Sequence, residues 1–510
     1  MIISLICVVG VSYAFFTAGM SSETSTTVRA DAGTMKITYD GGANINLAGI
    51  YPKDDVWATK TITVTGNNTT DAEMYYKLTL VVDSNTFKTD DPLQYELVST
   101  NTSTNGKIIP AISKKNITGT SIELGKGHFI KANNAKHTYL LKIYYPKKTT
   151  SQNANQGAAF SAHVEITSAK APKTNGKLSE LVLYNNEVKT PITAPGKEVS
   201  TASEALLAST PDDYGTSYYF RGAVKNNYVE FANKCWRIVR VGGDGSVKLI
   251  LHNDNTAKAA DPCNSANNST TAAFARYSGT TYKSAFNTNT DDNAYVGFMY
   301  GTPGSSTYAD THANTNKSTI LTNLETWYNN NLKTYESVID DNVWCNDKTN
   351  VTDTTYKPLW GDVNGLGLGY GKNVTYYGAT KRLVSTSDSA GGTGPSLKCN
   401  GELSKINSKV GLITADELAF AGYAYNIRNT VTYLKENTSG EWWSLSPSDY
   451  ISIYANVWTV ISYGTYFTTG HGGTGGSGVH DSYGVRPLIS LKSTTNVTGD
   501  GTSDKPYKVV

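Results

Sequence analysis

Between Gly33 and Ile166 the chain is written in short runs that alternate apolar and polar residues and break at Asn, Asp, Gly and Thr. Met35-Lys-Ile-Thr-Tyr39, Lys60-Thr-Ile-Thr-Val-Thr65, Tyr76-Lys-Leu-Thr-Leu80, His137-Thr-Tyr-Leu-Leu-Lys-Ile-Tyr144 and Phe160-Ser-Ala-His-Val-Glu-Ile166 all repeat with a period of two. Strand side chains point alternately to opposite faces, so these runs describe strands with one buried and one wet side. No helical periodicity interrupts them. The expectation is an all-β jelly-roll or immunoglobulin-like sandwich over residues 21–169. Residues 170–211 carry Pro172, Pro191 and Pro195 and read as a linker holding a short helix over 203–208.

Residues 1–20 lack any charged side chain and are mostly apolar, which suits a cleaved signal peptide or a membrane anchor. A full crossing needs about 20 apolar residues, so both forms fit. The basic region that usually precedes such a segment is missing, and the natural start is expected upstream. Cys7 lies in this segment; Cys235, Cys263, Cys345 and Cys399 all lie beyond residue 230. An even number of cysteines in an exported region points to two disulfides, with free thiols the alternative and all three pairings open. No two of them share a C-x2–4-C spacing, so no metal site is expected, and no cofactor. A net charge of +2 with 17% charged residues gives no basic surface for a nucleic acid.

Residues 212–510 read as α+β. Phe231–Val241 and Ser246–Leu251 flank Gly242-Gly-Asp-Gly245, a hairpin by turn chemistry. Leu321, Leu324, Tyr328 and Leu332 recur at helical spacing behind Ser318 or Thr319 as a cap, and Thr414-Ala-Asp-Glu417 is a capping box. From Tyr450 to Tyr466 the alternation is regular, placing Ile451, Ile453, Ala455, Val457 and Ile461 on a packed face. Tyr450, Ser452, Tyr454, Asn456, Trp458, Ser462 and Tyr466 then fall on the opposite face, with Asp449, Tyr463, Thr468 and His471 beside them. Tyrosine with small polar residues is the composition of adaptable binding surfaces, and the Gly-rich stretch 470–478 supplies a loop over that face. The same letters also suit an ordinary half-exposed strand.

Two resemblances add to this. Tyr13-Ala14-Phe15-Phe16 followed by Ala32-Gly33-Thr34-Met35-Lys36-Ile37 resembles the TasA and camelysin-like family of secreted fibre proteins over about 150 residues. That resemblance implies cleavage near Ala14 and donor-strand exchange between subunits, an added strand satisfying an open sheet edge; a monomeric spacer is the alternative. In the second half, Tyr218-Tyr-Phe-Arg-Gly222, Cys235-Trp-Arg-Ile-Val239, Gly411-Leu-Ile-Thr-Ala-Asp-Glu417, Trp443-Ser-Leu-Ser-Pro447, Gly484-Val-Arg-Pro-Leu-Ile489 and Gly499-Asp-Gly-Thr-Ser-Asp-Lys-Pro-Tyr507 resemble an uncharacterised surface domain of Firmicutes and Mollicutes. Its ending is similar to the C-type-lectin-like fold of formylglycine-generating-enzyme relatives and of retroelement variable proteins. The resemblance implies scaffold roles for Trp443, Ser446, Pro447 and Arg486 and a ligand surface between them. Adenine-directed diversification would favour Asp449, Tyr450, Ser452, Tyr454, Asn456, Ser462, Tyr463, Tyr466, Thr468 and His471.

Enzyme chemistry finds little footing. No Gly-x-Ser-x-Gly elbow joins a strand to a helix, no HExxH occurs, and the last cysteine, Cys399, precedes the region where the oxidase relatives keep theirs. The lectin calcium loop is absent, and Asp291-Asp-Asn293 matches no EF-hand spacing. The sequence therefore points to a binding protein: a surface adhesin or receptor for a protein or glycan on another cell, or a fibre subunit that self-assembles. Membrane attachment would run through residues 1–20 if they stay.

Overall fold

A computed structural model describes residues 26–31, 34–69, 73–100, 105–169, 172–356, 369–451, 453–462, 464–469 and 478–510. The chain divides into two units, Met1–Ala171 and Pro172–Val510; residues 1–20, the expected export segment, lie outside the described residues.

The first unit is an antiparallel β-sandwich. Its strands are β1 (Thr26–Asp31), β2 (Thr34–Asp40), β3 (Ile45–Ala48), β4 (Lys53–Asn68), β5 (Met74–Asn85), β6 (Gln94–Ser99), β7 (Ile112–Asn116), β8 (Ser121–Phe129), β9 (Ala132–Tyr145) and β10 (Ala159–Ser168). They form a six-stranded sheet in the order β1-β2-β4-β9-β6-β7 and a four-stranded sheet β3-β10-β5-β8. The period-two runs fall where the sequence puts them. On β5, Met74, Tyr76, Leu78, Leu80 and Val82 point inward, and they share one core with Ile62 and Val64 of β4 and Tyr139, Leu141 and Ile143 of β9. Tyr76 and Tyr139 are buried mid-core. Tyr76 Oη meets His137 Nδ1 at 2.6 Å and the hydroxyl of Tyr139, which also accepts from Ile109 N at 3.1 Å, so buried polar atoms are paired.

The second unit is also β-rich. Its nine-stranded sheet runs from Asn175–Lys177 through Asn496–Thr498, Tyr507–Val509, Tyr228–Phe231, Lys234–Val241 and Thr216–Gly222 to Ala205–Pro211. Val247–Asn253 pairs with Lys234–Val241 and carries Leu488–Leu491 on its other edge. All pairings are antiparallel except that of Tyr228–Phe231 with Tyr507–Val509. A six-stranded sheet combines Lys283–Ser284, Tyr483–Gly484, Trp442–Ile451, Tyr454–Ile461, Tyr466–Thr468 and Thr375–Tyr376. Among the described residues the unit also holds two two-stranded sheets and five α-helices: α1 (Leu178–Asn185), α2 (Tyr308–His312), α3 (Thr319–Asn331), α4 (Gly378–Leu383) and α5 (Ala415–Ala421). The Ser318 hydroxyl accepts from Leu321 N at 3.2 Å to start α3, which buries Ile320, Leu321, Leu324, Trp327 and Tyr328. The capping box of Thr414 and Glu417 starts α5, and Gly422, at φ 124°, ends it where a side chain would strike Ser200. The cysteines form Cys235–Cys263 and Cys345–Cys399.

The stretch expected to be a linker is instead part of this unit. Asn175–Lys177 pairs with Asn496–Thr498, and α1 inserts Leu178, Leu181 and Val182 into the main core. No helix forms over 203–208. Ala205–Pro211 is a strand paired with Thr216–Gly222, because Asp212 accepts from the backbone N–H groups of Tyr214 and Gly215 and turns the chain back. Leu206 and Ala208 then pack with Tyr219 and Phe420, partners from across the strand and from α5.

Candidate ligand-binding surface

The segment expected to present an open Tyr-rich face folds as a hairpin with both sides covered. Trp442–Ile451 and Tyr454–Ile461 pair antiparallel, Ile451 opposite Tyr454, and every residue of the first strand is buried. This strand lies mid-sheet, with α4 and α5 against it and the turn Asn293–Val296 also touching it. The expected one-sided alternation is thereby corrected: Asp449, Tyr450, Asn456, Trp458 and Thr468 are all below the surface. Tyr450 Oη donates to the Asp291 carbonyl at 2.9 Å. The Asp449 carboxylate accepts from Asn456 Nδ2 at 2.8 Å and from the Ser448 hydroxyl. Trp458 stacks on Phe467 with centroids 4.5 Å apart and meets Tyr425 edge-on at 5.7 Å. Conversely Ile453, expected to pack, is 59% exposed. Ser462 is exposed; Tyr466 lies on its short strand; Ser452, Tyr463 and His471 lie outside the described residues.

At the hairpin tip the chain does offer a surface. Tyr454 is 42% exposed beside Ile453, and its ring lies nearly parallel to His480 with centroids 6.2 Å apart. Exposed Asp291 and half-buried Asp481 stand in the adjoining loops. Those loops fix the tip: Ala455 N donates to the Thr290 carbonyl at 2.7 Å, and Val479 N donates to the Ala455 carbonyl at 3.0 Å. An apolar side chain, an aromatic and an imidazole sit together on a hydrogen-bonded base, an arrangement able to stack on a flat ligand face while carboxylates take hydroxyl or amine donors.

The four residues expected as scaffold are all buried. Trp443 Nε1 donates to the Ser284 carbonyl at 2.7 Å, and the Ser446 hydroxyl accepts from Ala415 N at 2.9 Å, tying the hairpin to the start of α5. Pro447 pairs with Val457 at a register shift in the hairpin. Arg486 donates to the carbonyls of Leu251 at 2.9 Å and Leu434 at 2.6 Å, and burial pulls its guanidinium down to about 10. Beside it a Cβ on Gly484 would come within 2.6 Å of the Phe274 ring, so only glycine fits.

A second cluster escaped the sequence. Arg240 pairs with Asp212 at 3.1 Å and with Glu417 at 3.0 Å; Lys248 reaches Glu417 at 2.8 Å. Arg382 bridges Asp347 and Asp416, each at 2.7 Å. Burial pushes the Glu417 carboxyl up, but Lys248 and Arg240 overcome it and hold it at about 2. The cavity among these groups is about 40 Å³, room for water rather than a substrate. Each charge has a partner, so the cluster braces the sheets against α4 and α5. The readable signal was Arg240 and Lys248 interrupting apolar strands, directly opposite one another in the sheet. Among the described residues no group of three or more His, Cys, Asp or Glu is placed to hold a metal ion.

The fold thus defines a chain with an antiparallel β-sandwich followed by a β-rich unit closed by two disulfides. No protein-family model matches the chain, and no curated protein matches it.

Proposed function

We propose that this is an extracellular ligand-binding protein, a cell-surface or secreted adhesin or receptor, whose second unit is C-type-lectin-like and whose binding surface is centred on the 453–454 tip. The observation that carries this reading is the exposed Ile453–Tyr454 pair, with the Tyr454 ring beside His480, at the end of a hairpin whose Trp442–Ile451 strand is wholly buried and whose Ala455 is hydrogen-bonded to the neighbouring loops. Binding surfaces gain affinity when a few aromatic anchors are held rigid before the ligand arrives. The two disulfides support an oxidising compartment. The scaffold roles of Trp443, Ser446 and Arg486 support the lectin-like reading. In this reading any sequence diversification falls on Tyr454, Ser462 and the neighbouring loops, not on Asp449, Tyr450, Asn456 or Trp458, whose side chains fill the interior.

The test is a glycan and protein array probed with the exported chain, followed by Tyr454→Ala and Ile453→Ala on whatever ligand is found. Unchanged affinity in both would move the site elsewhere. A second reading, a fibre subunit, is favoured by one observation: among the described residues β1 is an edge strand paired only with β2, in a short antiparallel register that a neighbouring copy's strand could occupy instead. Electron microscopy of the secreted protein separates the two, regular filaments favouring the fibre.

A further inference from the structure

Lys348 is a lysine with no counter-ion among the described residues. It is 0% exposed, and its Nζ meets the carbonyls of Met299 at 3.0 Å and His312 at 2.8 Å and the side-chain Oδ1 of Asn314 at 2.6 Å, with no carboxylate in contact among the described residues. A buried ammonium left unpaired by any anion is costly, and that cost favours the neutral amine, the form of lysine that acts as a nucleophile. The amide it faces is oriented. Asn314 Nδ2 donates to the Lys405 carbonyl at 3.2 Å, so the amide is gripped at both ends with its carbonyl turned to Nζ. Beside them His312 is fully buried, and both its ring nitrogens lack a hydrogen-bond partner among the described residues.

We propose that Lys348 and Asn314 form an intramolecular isopeptide bond. Neutral Nζ attacks Cγ of Asn314, the Cγ–Nδ2 bond breaks, a proton passes from Nζ to the departing nitrogen, and ammonia leaves. A new Nζ–Cγ amide remains, and no oxidant, reductant or further reactant is consumed. The His312 carbonyl accepts from Nζ and helps hold the amine beside the Asn314 amide. Burial lowers the Lys348 ammonium to about 7, so a large share is neutral near physiological pH. Burial first and the Lys348 charge second keep His312 unprotonated, at about 3. The bond would tie the loop after α2 to the chain three residues beyond Cys345, placing two covalent staples side by side. Heat and proteases would then open this corner of the molecule only after breaking covalent bonds.

Mass spectrometry of the full-length folded protein tests this. After reduction of the disulfides, the wild-type chain is expected to weigh less than its sequence mass by one ammonia, and a tryptic digest to contain one branched peptide joining Lys348 to Asn314. Asn314→Ala and Lys348→Met are each expected to restore full mass and abolish the branched peptide. Asn314→Asp, which keeps the side-chain shape, is expected to link with loss of water instead. Separate unmodified peptides bearing Lys348 and Asn314 from the folded wild type would overturn the proposal, as would an ammonia deficit that persists in Asn314→Ala.

Discussion

Trp458 and Tyr454 lie on one strand, four residues apart, and the structure gives them opposite work. Trp458 is packed against Phe467 and Tyr425 in the interior, so Trp458→Ala is expected to cost about 3–5 kcal/mol of stability, read as a large fall in the urea midpoint. Tyr454 stands at the surface, and Tyr454→Ala is expected to change stability by no more than about 0.5 kcal/mol. Equal midpoints for the two variants would contradict the packing described. The sequence could not separate them: tyrosine, tryptophan and asparagine suit a wet strand face, and equally a buried one whose polar atoms are answered inside, as Asp449 answers Asn456 and the Asp291 carbonyl answers Tyr450. Glu417 supplies a pH signature. Its folded carboxyl lies below its ordinary 4.5, at about 2, so the stability it contributes is complete above that ordinary value and drains away as pH falls between the two. Glu417→Gln is expected to be less stable at neutral pH and to lose part of the decline between pH 4.5 and 2, checked by denaturant titrations across that range.

Elements whose signals are local were legible, and those that depend on distant partners were not. The Thr414–Glu417 box, the Ser318 cap and the Gly242–Gly245 turn are each written within a few residues and occur as expected. Ala205–Pro211 and Asn175–Lys177 failed because their strand character comes from neighbours, Thr216–Gly222 in one case and Asn496–Thr498 in the other, while their prolines speak locally for a loop. The hairpin that pairs Ile451 with Tyr454 was missed for a related reason: no Gly, Pro or Asn-Gly stands in the sequence between the two strands, and the alternation runs on through it. Two disulfides were legible from an even cysteine number, their pairing was not. Cys345–Cys399 spans 54 residues and Cys235–Cys263 spans 28, so removing the longer loop's bond as a double Ser variant is expected to cost more by about 0.6 kcal/mol of loop entropy. Each loss should fall in the range of about 2–5 kcal/mol, measured by chemical denaturation. A larger cost for the shorter loop would show that strain or local packing around Cys235, Cys263 and Tyr228 outweighs chain entropy.

On the scale of the whole molecule, the sandwich of the first unit was readable from its period-two strands, whereas the second unit's two large sheets, braced by Arg240, Lys248, Arg382 and their carboxylates, were not. Charges buried in pairs look in sequence like charges facing water, and only the fold tells them apart. Among the described residues Tyr51, Tyr214, Tyr335 and Tyr454 are the exposed aromatics, and of these Tyr454 stands next in the chain to another exposed apolar side chain, Ile453. The proposed ligand contact is this tip. The direct measurement is the affinity of the full chain for its array-identified ligand, in wild type and in Tyr454→Ala, with circular dichroism confirming the fold of both. A loss of about tenfold or more in affinity at unchanged stability is the expected result, since an aromatic anchor at an interface contributes more than about 1 kcal/mol. Wild-type affinity in the Tyr454→Ala protein would contradict it.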